Sequence, residues 1–194
     1  KAEAFYRRSI EGNEVALGKD HPTVLTNIGN LAMVFTEIGD YEQAEKLYKD
    51  ILSKQEKTSG PNHPDTLLTF NNLGLVYENK GDYEKAEAIY RRCIEGNEVA
   101  LGKDHPILLT NIGNLARVFN EIGDYKQSEV LFKDVLSKKE KNLGPNHPDT
   151  LLTVNNLGLL YNNLGDYEKA EAFYRRSIEG NEVALGKDHP TVLT

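Results

Sequence analysis

An all-α superhelical solenoid of antiparallel helix hairpins is the fold that this 194-residue sequence predicts. Three observations carry the prediction. The dipeptide His-Pro begins at His21, His63, His105, His147 and His189, always 42 residues apart. Gly-Asp-Tyr begins at Gly39, Gly81, Gly123 and Gly165 with the same period of 42. Apolar residues recur three and four positions apart, the spacing of a helix face, and nowhere alternate with the period of two that a half-buried strand requires. Self-similarity at a fixed period marks an array of small units that shelter one another.

Within one unit, helix A starts at the His-Pro step, because a proline suits the first helical turn, where its missing N–H costs nothing. Ile28, Leu31, Ala32, Phe35 and Ile38 then fall on one face of the segment after Pro22. Gly39 ends this helix, since glycine accepts the left-handed backbone that a helix stop demands. Asp40 offers a carboxylate to the free N–H groups of helix B, whose apolar face is Tyr41, Ala44, Tyr48, Ile51 and Leu52. Small residues at Ala32, Gly74, Ala116 and Gly158 predict a close helix approach, with Phe35, Tyr77, Phe119 and Tyr161 filling the space beside them.

A longer period of 84 overlies the first: the segment from Lys85 resembles that from Lys1, and residues 1–26 are identical to residues 169–194. The expected organisation is a single repeat array. Residues 1–20 are a partial unit with helix B only, 21–62, 63–104, 105–146 and 147–188 are complete units, and 189–194 begin another. The chain starts at Lys1 rather than Met and inside a helix B, so a fragment of a longer protein is expected.

Composition narrows the function classes. The chain carries 23 Lys+Arg against 30 Asp+Glu, a net charge of −7, which argues against nucleic acid as a partner. No apolar run approaches the roughly 20 residues of a membrane helix. A single cysteine builds no disulfide framework and points to a reducing, cytoplasmic setting.

The run Phe70, Leu73, Gly74, Tyr77, Gly81, Asp82, Tyr83, Ala86 and Tyr90 resembles the tetratricopeptide repeat, and the likeness covers effectively the whole chain. The 42-residue period, the Gly-x-x-His-Pro linkers and the Asn-Asn-Leu-Gly segments are similar to the long variant found in kinesin light chains and related scaffolds. Two departures stand out. Ile28, Phe70, Ile112 or Val154 replaces the usual large aromatic opening helix A, and Ser128 replaces the alanine seen at Ala44, Ala86 and Ala170. The resemblance implies a right-handed superhelix with a concave peptide groove, no catalysis and no cofactor.

Candidate chemistry elsewhere is thin. The histidines sit one packing layer apart, about 10 Å or more, too far to converge on one metal ion. Gly96 to Asp104 mimics a phosphate loop, but its glycines are spaced wrongly and Asp104 stands where Ser or Thr would hold magnesium. Cys93, aligned with Ser9, Ile51, Val135 and Ser177, reads as a buried inert thiol. The pairs Arg7/Arg8, Arg91/Arg92 and Arg175/Arg176 have glutamates within helical reach and read as solvated intrahelical pairs, with an acidic-partner patch as the alternative.

The asparagines are the strongest binding candidates. Asn30, Asn72, Asn114 and Asn156 hold one equivalent position on every complete helix A, and Asn71 and Asn155 add a second amide in alternate units. Asparagine is a weak helix former, so its recurrence needs a reason. A carboxamide both donates and accepts, and so pairs with a peptide backbone regardless of its side chains; an amide bond between neighbouring hairpins is the alternative. The resemblance implies that this position lines the concave face. One turn on, Met33, Leu75, Arg117 and Leu159 form a variable row that would choose side chains, Arg117 favouring an acidic group. The expected function is a non-catalytic scaffold binding an extended or helical peptide. The alternative is a structural array that self-associates head to tail.

Overall fold

The computed structural model describes residues 1–185, and the predicted unit start at 189–194, with His189, lies outside them. The chain divides into two compact units, 1–100 and 101–194. In the first lie α1 (Ala2–Leu17), α2 (Pro22–Glu37), α3 (Tyr41–Thr58), α4 (Pro64–Lys80) and α5 (Tyr83–Leu101). In the second lie α6 (Pro106–Glu121), α7 (Tyr125–Leu143), α8 (Pro148–Asn163) and α9 (Tyr167–Leu185). Among the described residues no strand occurs, and the fold is all-α. Helices A (α2, α4, α6, α8) run 16 or 17 residues and the complete helices B (α3, α5, α7, α9) 18 or 19.

The His-Pro step does more than the proline alone predicts. At His21, His63, His105 and His147 the ring Nδ1 accepts the N–H of the residue two further on, at 3.2–3.3 Å, so the histidine itself is the N-cap. The proline beside it presets the first helical turn. Aspartate caps helix B: Asp40, Asp124 and Asp166 accept the N–H of Gln43, Gln127 and Lys169 at 3.2 Å, and Asp82 that of Lys85 at 3.4 Å. Gly39 between the two helices has φ +84°, and the N–H of Asp40 returns to Phe35 O at 2.9 Å, closing the helix end.

Neighbouring helices pack pairwise along each unit, α1 on α2, α2 on α3 and α3 on α4 in the first, α6 on α7, α7 on α8 and α8 on α9 in the second. Consecutive A helices also touch, α2 with α4 and α6 with α8. Leu31, Ala32 and Phe35 are buried as expected, with Ala44, Tyr48, Ile51 and Leu52 opposite. Ile38 is a correction: it is 65 % exposed, because it is the C-cap residue and has left the helical face. Val24 and Leu25 in the first turn take its share of the core. In the second unit Phe132, Val154, Leu157, Leu160 and Tyr161 make the corresponding cluster, with Ala116 and Ala170.

The small residues have measurable reasons. A Cβ on Gly74 would lie 2.7 Å from Cε1 of Tyr90, and one on Gly158 2.7 Å from Cε1 of Tyr174. The departure at Ser128 is also explained, because its buried hydroxyl donates to Ala116 O at 2.8 Å. Gly96, part of the phosphate-loop lookalike, is not in a loop. It lies inside α5, and its missing side chain admits Leu67, whose Cδ2 would be 2.7 Å from a Cβ there. Cys93 is fully buried as expected, its Sγ donating to Leu67 O at 3.5 Å.

Removing the cap with His63→Ala is expected to cost about 1 kcal/mol, while His63→Asn, which keeps an acceptor, retains most of it; urea unfolding midpoints measure both. Gly74→Ala forces a methyl against a buried tyrosine ring and is expected to cost about 1–3 kcal/mol in the same assay.

Candidate functional site

In the first unit α2, α3 and the start of α4 enclose a groove of about 360 Å³. Asn30 and Asn72 both line it, and Met33 lies beside Asn30 on α2. The two asparagines sit 42 residues apart in sequence and share one hollow because α2 and α4 are adjacent A helices. Both are half-buried, the condition for an amide held by its helix yet open to a guest, and Met33 is 47 % exposed. Leu75 and Asn71, on α4, do not belong to this lining.

The floor comes from helix B. Tyr48 and Ile51 are buried and apolar, and the Tyr48 hydroxyl donates to Gly29 O at 3.3 Å. Burial pushes that phenol up to about 12, so it stays protonated and fixed in place. Gln55 lies one turn further along the same helix, half-buried, and its side-chain oxygen is buried without a hydrogen-bond partner. Asp20 and Asp65 stand at the edges of the groove, and Leu68 gives it an exposed apolar wall.

The second unit repeats the arrangement of the amides. Asn114 and Arg117 are half-buried on α6, Asn156 is half-buried on α8, Leu159 is 37 % exposed and Asn155 is exposed. The position of Gln55 is held by Lys139, which is buried and donates from Nζ to Asp149 O at 3.2 Å. Desolvation pulls its pKa down from the ordinary lysine value. Neither Gln55 nor Lys139 stood out in the sequence. Comparing positions 84 residues apart is the signal that finds them.

Hydroxyl–carboxylate ties join successive hairpins. Tyr77 donates to Glu45 Oε1 at 3.1 Å across 32 residues, and Tyr161 donates to Glu129 Oε1 at 2.7 Å in the second unit. Lys49 also reaches Glu45, at 2.7 Å, and with Tyr77 and Lys80 holds that carboxyl below its ordinary value against the opposing effect of burial. The arginine pairs split in two. Arg7, Arg91 and Arg175 bond glutamates four residues back on their own helices, as expected. Arg92 instead reaches Glu56 on α3 at 2.9 Å and stacks 4.3 Å above the Phe70 ring, and Arg176 likewise reaches Glu140 on α7. Among the described residues no group of three His, Cys, Asp or Glu converges as a metal site would require, and no helix is long and apolar enough to cross a membrane.

The model of one family, the tetratricopeptide repeat, matches residues 1–57, 27–98, 65–141 and 123–182. The chain belongs to the tetratricopeptide repeat family. No curated protein sequence matches it. Solved tetratricopeptide-like structures do. A Podosopora anserina kinesin-light-chain-like protein with nearly identical TPR-like repeats is 21 % identical, with 94 % of this chain and 86 % of that one covered at a TM-score of 0.76. BtubC (BKLC) from P. vanneervenii is 22 % identical, with 97 % and 74 % covered at 0.77. A Rap protein complexed with competence and sporulation factor is 18 % identical, with 98 % and 55 % covered at 0.76. At such identities the likeness shows the fold, an all-α tetratricopeptide solenoid like that of kinesin-light-chain-type repeats.

Because the Glu45 carboxyl is held below its ordinary 4.5, its ties stabilise the folded chain in full above about that pH and are lost as pH falls through the depressed value. Glu45→Gln is expected to lower the thermal midpoint at pH 7 and to converge with the parent once the pH has fallen below the depressed value; melting curves taken from neutral to acid pH measure it.

Proposed function

We propose that this tetratricopeptide chain is a non-catalytic scaffold that binds an extended or helical peptide segment along the groove lined by its A helices. Tetratricopeptide repeats are typically protein-interaction scaffolds, and the observation that carries the reading here is the shared groove of Asn30, Met33 and Asn72. Two carboxamides at successive A helices offer donors and acceptors to a peptide backbone, and the exposed Met33 and Leu68 between them offer apolar contact to its side chains. Asn71 on α4, and Asn114, Asn155 and Asn156 within the second unit, would offer further amides, and Leu75, Arg117 and Leu159 would set side-chain preference. Acid–base or nucleophilic catalysis needs convergent titratable groups; the groove offers mainly amides, hydroxyls and apolar surface. The single cysteine, buried and free, fits a protein of a reducing compartment such as the cytoplasm.

Selection from a random peptide library against the intact chain is expected to enrich binders that weaken about tenfold or more with Asn72→Ala or Asn114→Ala. Binders indifferent to both substitutions would refute the amide clamp.

A further inference from the structure

Positions 84 residues apart, one in each unit, preserve the frame of the groove and differ in its charge. Asp20, Asn30, Asp65 and Asn72 have identical counterparts in Asp104, Asn114, Asp149 and Asn156. Two lining positions change in charge: Met33 corresponds to Arg117, and Gln55 to Lys139. Both changes add a cation. The first unit's groove is thus lined by two carboxylates and by no lysine or arginine. Asp20 shares its charge with Lys54, at 3.0 Å, while Asp65 stands exposed at the other edge.

The second unit shows what that frame accepts. The Lys139 ammonium lies buried against the first turn of α8, donating to Asp149 O. Its counterpart Gln55 lies in the groove bordered by Asp65, the counterpart of Asp149, and keeps a buried acceptor oxygen with no donor. The second unit supplies from its own chain a cation at a place where the first has only an acceptor and a neighbouring carboxylate.

We propose that the groove of the first unit takes a peptide segment in which an apolar side chain is followed by a lysine or arginine. The apolar group lies against Met33 and Leu68, and the cationic head reaches the Gln55 oxygen and the Asp65 carboxylate. This rests on the reading of the groove as a peptide site and adds the chemistry of the occupant. An acidic segment is disfavoured there, because it would meet two carboxylates and an acceptor that it cannot satisfy.

Three blocked decapeptides test it, sharing one frame in which a leucine is followed by Lys, Gln or Glu, each titrated against the intact chain by fluorescence anisotropy at low salt. The Lys peptide is expected to bind about tenfold or more tightly than the Glu peptide, with the gap narrowing as salt rises. The paired substitution Met33→Arg and Gln55→Lys is expected to abolish that preference while leaving the melting curve cooperative, since both residue types already occupy these positions in the second unit. Equal binding of the Lys and Glu peptides, or a preference that survives the paired substitution, overturns the assignment. If all three peptides bind equally and all weaken with Asn30→Ala and Asn72→Ala, the groove remains a peptide site and only its charge preference falls. If none binds, both readings fall.

Discussion

A helix hairpin of this length has more apolar surface than its two helices can hide from each other, and that surplus governs the molecule. Helix α4 buries residues on several of its sides at once, Thr66 and Leu67 in the first turn, Phe70 and Leu73 in the middle, Val76 and Tyr77 at the end. One partner helix contacts a single stripe. The remainder is covered by the hairpin before and the helix after, so each unit is completed by its neighbours. The groove is a by-product of the same arrangement. Within each unit consecutive A helices approach closely enough to touch, α2 with α4 and α6 with α8, and the row of half-buried asparagines lies on them.

Close approach is bought with missing side chains, and those absences are specific. Gly74 and Gly158 make room for the rings of Tyr90 and Tyr174, while Gly96 and Gly180 make room for Leu67 and Leu151. Glycine inside a helix costs backbone entropy, about 0.5–1 kcal/mol relative to alanine. Here it recurs because the packing partner fills the gap with a larger apolar group, and burying such a group contributes about 1.5–3 kcal/mol.

The sequence period made the helices, their starts and stops and the aspartate caps legible, because His-Pro and Gly-Asp act locally, within a few residues of where they stand; the histidine Nδ1 cap was the local feature it did not show. The Asn row was legible for the same reason: one position repeated on every helix A. What stayed hidden depends on residues far apart in the chain. Gln55 sits in a polar tail of helix B and shows no sign of its place in the groove until Asp65 and Met33 are set around the same hollow. The purpose of Gly96, space for Leu67, did not show in the sequence because Leu67 lies 29 positions away. Arg92 looked like a surface partner for its own helix, and its contacts with Phe70 and Glu56 emerge only when three helices are stacked. Ile38 fitted the apolar period but fell one residue beyond the helix, where periodicity loses its meaning.

The tie from Tyr77 to Glu45 and its counterpart from Tyr161 to Glu129 have a mechanical meaning. Each fastens a hairpin to its predecessor, together with the Arg92–Glu56 or Arg176–Glu140 pair and the oily contact around them. Under tension such couplings are loaded in sequence along the chain rather than shared across a sheet of parallel bonds. Each 42-residue unit that gives way releases up to about 150 Å of extended polypeptide. A stretched segment therefore lengthens in steps, one hairpin at a time, and rewinds from whichever neighbours are still folded.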